Sequence, residues 1–108
     1  MASPGIDQRK HARYHTDLEI LIYQGQNTLH GRIRQISRGG CLVFPSLPPL
    51  PNQPLRISFR LAEDAAYINC KGEVVYDFAD KGTGVAFTEI SAYNQDLITE
   101  YFEKHPAP

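Results

Sequence analysis

From Leu55 to Leu61 apolar and polar residues alternate without a break, with Leu55, Ile57, Phe59 and Leu61 on one side and Arg56, Ser58 and Arg60 on the other. A period of two sends neighbouring side chains to opposite faces of an extended strand. Such a strand has to lay its apolar face on a core, and 108 residues are enough to build one core without metal or disulfide support.

Weaker copies of this pattern recur along the chain. Leu18, Ile20 and Ile22 alternate with Glu19 and Leu21, before a glycine-containing turn at 24–27. A second strand is expected over 28–37, with Leu29, Gly31 and Ile33 on one face and His30, Arg32 and Arg34 on the other. Ile36 breaks that phase, which predicts a bulge or strand end near Gln35. A third strand is expected over 41–44, and the alternating run from Leu55 is the fourth. The fifth spans about 67–78 with Ile68, Cys70, Val74, Tyr76 and Phe78 in phase, and Gly72 among them predicts the sharp bend that closes a small barrel. After a turn at Asp80-Lys81-Gly82 comes a sixth strand over 84–88. Asp77 and Asp80 read as solvated acids flanking that turn. Ser91 is placed to cap a helix reaching about Lys104, with Tyr93, Leu97, Ile98, Tyr101 and Phe102 as the apolar stripe that covers an opening or flank of the sheet. The expected fold is all-β, a six-stranded antiparallel β-barrel with one C-terminal helix, in which closure removes exposed edges.

The proline run at 45–51 has the composition of a polyproline ligand, but a strand follows it at once, so a stiff surface connection is the preferred reading. Cys41 and Cys70 lie in apolar runs as small core hydrophobes, and their spacing neither demands nor forbids a bond between them. With no CxxC spacing and four scattered histidines there is no metal signature. No apolar run is long enough for a helix to cross a membrane, so no membrane insertion is expected and the chain reads as cytoplasmic. Motifs for a nucleophile elbow or a phosphate-binding loop are absent, and no enzyme is expected.

A net charge of −1 gives no basic field for coating a polynucleotide. The positive charge is uneven, however: Arg9, Lys10, Arg13, Arg32, Arg34 and Arg38 face only Asp7, Asp17 and Glu19 over residues 1–38. Arg9 and Arg13, four apart, share a face in a helical turn or an extended segment and can form a two-pronged clamp, or else a solubilising tail. In Gln35-Ile36-Ser37-Arg38-Gly39-Gly40 an amide and a hydroxyl stand two apart on one strand face, followed by a cation and two glycines. Glycines there let the chain reverse with positive φ and leave backbone N–H groups uncovered for a ligand. Taken alone, these six residues are as well read as a hairpin whose turn needs glycine.

Together, Arg9-Lys10-His11-Ala12-Arg13 and Gln35-Ile36-Ser37-Arg38-Gly39-Gly40 resemble the RxxxR and [D/N]xSxxG motifs of PilZ domains, and Gly82-Thr83-Gly84-Val85-Ala86-Phe87 is similar to the GxGVxF-like strand of that family. The resemblance covers nearly the whole chain and implies a six-stranded barrel with a C-terminal helix that binds the second messenger cyclic di-GMP as a ligand, with no cofactor. It implies ligand roles for Arg9, Arg13, Ser37 and Gly40, to which the residues themselves add Gln35, Arg38 and Gly39. Gln35 departs from the Asp or Asn of the pattern, which bears on affinity more than on fold. Tyr76 reads as a core or rim aromatic that could stack on a guanine if the site reaches it. Residues 1–16 are then a flexible segment carrying the arginines, and 17–108 the barrel with its helix. Three functions follow: a cyclic di-GMP receptor acting on an unidentified downstream protein as a monomer or weak dimer, a degenerate adaptor of the same family without ligand, and a small barrel binding single-stranded nucleic acid. The first is preferred, and no nucleic acid is expected.

Overall fold

A computed structural model describes residues 12–47, 54–78 and 80–105. Six strands, β1 (Tyr14–Gln24), β2 (Asn27–Ser37), β3 (Gly40–Phe44), β4 (Leu55–Phe59), β5 (Ile68–Phe78) and β6 (Gly82–Glu89), precede one helix, α1 (Ala92–Lys104). All neighbours are antiparallel, and the order β1-β2-β3-β6-β5-β4 closes because β1 pairs with both β2 and β4. The expected barrel with its terminal helix is the fold observed.

The alternation seen in the sequence fills the barrel. Ile20 and Ile22 from β1, Ile33 and Ile36 from β2, Val43 from β3, Leu55, Ile57 and Phe59 from β4, Ile68 from β5 and Val85 from β6 are all buried in one cluster. Phe59 stacks on Phe87 with ring centroids 6.1 Å apart. Cys41 and Cys70 are free and buried in the same cluster. Burial pushes the Cys70 thiol up to about 11, and Cys41 further in the same direction.

Glycine closes the curve where side chains cannot. At Gly72 the β5–β6 register slips, and a Cβ there would sit 2.7 Å from the Ala86 carbonyl oxygen and 2.9 Å from Ile57 and Val85. The expectation of an irregularity at this glycine is met by the register slip and by the lack of room for a side chain.

Several details of the strands differ from expectation. β1 starts at Tyr14, earlier than the anticipated Asp17, because a slip between His15 and Leu18 lets the strand keep pairing with β2. Val74 and Tyr76 are 40% and 37% exposed rather than in the core. β4 pairing ends at Leu55↔Gly72, and a second slip between Val74 and Tyr76 turns Tyr76 to the outer face, opposite Gly84. Asp77 is not merely solvated, for it accepts a hydrogen bond from the Thr83 hydroxyl at 3.0 Å. That hydroxyl in turn accepts from the Leu47 N–H at 2.8 Å, and Leu47 is buried, so this part of the proline-rich connection is pinned inward. Residues 48–53 of the connection lie outside the described residues.

Ser91 caps α1 as expected, its side chain accepting from the Asn94 N–H at 3.1 Å. Ile98 and Phe102 complete the core, and Phe102 stacks on Tyr14 at 5.1 Å with the rings 11° apart. The helix therefore packs at the end of the barrel where β1 begins and β2 stops. Tyr93 is 72% exposed and is not part of the buried stripe. It lies in line with the half-buried Leu97 and Tyr101 on the edge of the stripe, one turn nearer the cap, where no barrel wall reaches it.

Candidate functional site

The last residue of the first motif, Arg13, meets the second motif at that same end. Pairing of Tyr14 with Ile36 and His15 with Gln35 leaves Arg13 one residue beyond the last pair, level with Ser37. Arg13 is exposed, and among the described residues it has neither hydrogen bond nor ion pair. Arg9 lies outside the described residues.

Gln35 and Ser37 share the outer face because β2 gains one residue relative to β3 between Ile33 and Gln35. The bulge puts Ile36 into the core and turns the half-buried Gln35 and Ser37 outward, as the broken phase at Ile36 predicted. On β3 and β6 the same outer row continues through Leu42 and Gly84 to Tyr76 of β5. Gly84 has no side chain in that row, and a Cβ added there would strike the Tyr76 ring. The ring thus lies over β6, facing Gln35 across Leu42 at about two strand spacings, or ~10 Å.

The turn at Arg38-Gly39 is built differently from expectation. Positive φ occurs among the described residues only at Gly25 and Gly82, so Gly39 and Gly40 do not reverse the chain through left-handed geometry. Neighbouring groups hold the turn instead. The Ser37 hydroxyl accepts from the Gly39 N–H at 3.1 Å, and the Gly39 carbonyl accepts from the Phe87 N–H at 2.9 Å. Glycine is needed at Gly40 for room, since a Cβ would run into the Val85 carbonyl oxygen. The Gly39 N–H is consequently engaged by Ser37 and is not free for a ligand.

Sequence reasoning missed two residues of this corner. Gln95 Nε2 donates to the Arg38 carbonyl at 2.9 Å, and the Asp96 carboxylate accepts from Arg38 Nη2 at 2.9 Å. Both come from α1, some sixty positions downstream, and no local pattern announces a contact of that range. Their place between the buried stripe and solvent was the one available hint.

Two further cations of the basic first third, Arg32 and Arg34, are likewise committed. Arg32 Nε donates to Asp17 at 2.9 Å, and that bond is the main reason the Asp17 carboxyl is held below its ordinary value. The Arg34 guanidinium lies 5.4 Å from the Phe44 ring centroid. Among the described residues no group of three or more His, Cys, Asp or Glu side chains could hold a metal ion, and no helix is long and apolar enough to cross a membrane.

This architecture has relatives. It superposes on the inhibitor of motility from Bacillus subtilis with a TM-score of 0.71 and 22% identity, covering 90% of this chain and 50% of that one. The PilZ domain of CeSA from a cellulose-synthesizing bacterium matches with a TM-score of 0.62 and 17% identity over 87% of this chain and 98% of the other. The PlzA protein of Borreliella burgdorferi, whose structure is of a complex with c-di-GMP, gives 0.56 and 23% over 91% and 42%. The present chain thus spans about half the length of the first of these proteins. No curated protein matches it in sequence. The likenesses in structure establish the fold alone, but the sequence profile of the PilZ domain matches residues 7–104, a span that holds both arginines, the bulged end of β2, and the helix that packs on it. The chain belongs to the PilZ domain family.

Proposed function

We propose that this domain is a receptor for cyclic di-GMP and relays the occupancy of its site to a partner protein in the cytoplasm. The observation that carries the reading is the convergence at one barrel end of the Arg13 guanidinium, unpaired among the described residues, with the outward amide and hydroxyl of Gln35 and Ser37. The ligand offers two phosphates and two guanines. A guanidinium matches phosphate oxygens and the O6/N7 edge of guanine in paired hydrogen bonds. Arg9 and Arg13, on the segment leading into β1, close over a ligand seated on the end of β2, with Arg38 and the Gly39-Gly40 turn at its margin. Tyr76, along the same outer row, is placed for stacking on a base that extends over Leu42. Closure of the segment that precedes β1 over the ligand supplies the change that a partner reads.

Calorimetry with cyclic di-GMP tests this. Saturable binding is expected for the native protein. In Arg13→Ala it should be weaker by about 1.5–3 kcal/mol, the worth of a charge-assisted contact, at an unchanged melting temperature. No heat with cyclic di-GMP, or a domain that unfolds on loss of Arg13, overturns the reading. Oligonucleotides at physiological salt should not bind.

A second reading has its own support. Gln35 stands where the family pattern has a carboxylate or its amide, and Arg38 is already paired with Asp96, both consistent with a family member that works through protein contacts without the messenger. The same titration separates the two.

A further inference from the structure

The Arg38 side chain and the Arg38 backbone are held by different residues of α1. Gln95 binds the carbonyl, Phe87 of β6 binds the next carbonyl at Gly39, and Ser37 binds the Gly39 N–H, so the path of the turn is fixed without help from the guanidinium. Among the described residues the guanidinium has one ion-pair partner, Asp96, at 2.9 Å. It is one-third exposed and the carboxylate more than half exposed, 32% and 57%, so water reaches the pair from outside and either group can turn away without disturbing the core.

A carboxylate on a guanidinium presents two oxygens to its N–H fork, and a phosphate presents the same arrangement with a similar charge. We infer that Asp96 is a built-in competitor for the ligand's phosphate at Arg38: in the empty domain it occupies the guanidinium, and an anionic ligand must displace it. This rests on the cyclic di-GMP reading above and adds a control on that site. Because the turn is anchored independently, the exchange costs only the pair itself. A solvent-exposed pair of this kind is weak and easily exchanged. The exchange also frees an acidic side chain on the exposed face of α1, where Glu100 stands one turn further along, so the charge that the helix offers to solvent changes with occupancy.

The test compares calorimetric affinity for cyclic di-GMP among the native protein, Asp96→Ala and Glu100→Ala. Glu100 is exposed, carries the same charge on the same face, and has no ion pair among the described residues, so it controls for simple removal of an acid near an anion. Asp96→Ala should bind about two- to fivefold more tightly, the range set by an exposed ion pair, with a melting temperature unchanged within error. Glu100→Ala should bind as the native protein does. Equal or weaker binding by Asp96→Ala while the native protein binds overturns the competition and leaves the receptor reading intact. An equal gain in Glu100→Ala also overturns it, since the effect would then be long-range charge. Absence of binding in all three proteins removes the receptor reading, and the competition with it.

Discussion

The β4 wall of the barrel and the corner where β2 turns into β3 are held in different ways. Around β4 the pairing with β1 and β5 runs in unbroken register, and Leu55, Ile57 and Phe59 are buried on the inner face. Burial of apolar area holds this wall, at roughly 1.5–3 kcal/mol for each large side chain. At the corner, register slips in β1 and again in β2, and the turn is fixed by hydrogen bonds that Phe87 and Gln95 donate and the Ser37 hydroxyl accepts. Each such bond is worth only about 0.5–1.5 kcal/mol net, but it has direction. The comparison teaches that the fold is stabilised by the wall, whereas the corner spends little stability on setting which way a few polar groups point.

Truncation in the wall should therefore give the largest loss. Phe59→Ala removes a fully buried ring that stacks on Phe87, and should lower unfolding free energy by about 3–5 kcal/mol in urea titration. A loss no larger than that of Ser37→Ala would break the distinction between the two regions.

Thr83 lies between these extremes, as a buried hydroxyl that joins Leu47 to Asp77. Thr83→Val keeps the shape but leaves the Leu47 N–H without its acceptor, a cost of about 1–3 kcal/mol. Thr83→Ser retains the hydroxyl and should recover most of it. Equal losses for the two variants would assign the effect to packing.

The sequence made the wall legible because burial there acts residue by residue. Alternation placed β4, the phase break at Ile36 located the β2 bulge, Gly72 marked the register slip in β5, and Ser91 marked the helix start. The corner was legible only in its ingredients. Gln35 and Ser37 do share a face, but the reversal at Arg38-Gly39 proceeds without positive φ, because hydrogen bonds from distant elements replace the local preference of glycine. Tyr76 has the sequence phase of Ile68, Cys70 and Val74, and that phase does not show the slip that turns it to the outer face. A bulge depends on what the partner strand does, and a strand's own sequence does not contain that.

Gln35 sharpens the comparison from the side of the corner. A carboxylate there accepts two bonds from the N1–H and N2–H donors of a guanine edge, whereas an amide has one oxygen to offer and its NH₂ faces a donor. Gln35→Asp should tighten cyclic di-GMP binding by about 1–2 kcal/mol in paired calorimetry, with little change in stability, since the residue is outside the core cluster. Equal or weaker affinity would mean that this position does not read guanine.

The smallest effect is expected where the β1 slip is clasped from outside. Arg32 Nε donates to the Asp17 carboxylate at 2.9 Å, and Arg32 Nη2 to the Asp17 carbonyl at 3.3 Å. The hydrogen bond from Arg32 is the largest influence lowering the Asp17 carboxyl below its ordinary 3.8, and charge from Arg32 and Arg34 acts the same way. A carboxyl with a lowered folded-state value binds its proton more weakly folded than unfolded. It therefore contributes stability above its unfolded value, and that contribution is lost as pH falls through the folded one, a window lying below about 4. Because both side chains are exposed, water and salt screen the pair, and the contribution at neutral pH is small. Asp17→Asn should lower the melting temperature slightly at pH 7 and low salt. The difference from the native protein should shrink on adding salt and vanish once pH has fallen below the window. Asn keeps the backbone carbonyl that Arg32 Nη2 uses, so a large loss at pH 7 would show that charge rather than pairing and burial holds this edge of the barrel in register, and a difference that grows as pH falls would show that the ionised carboxylate is not the group responsible.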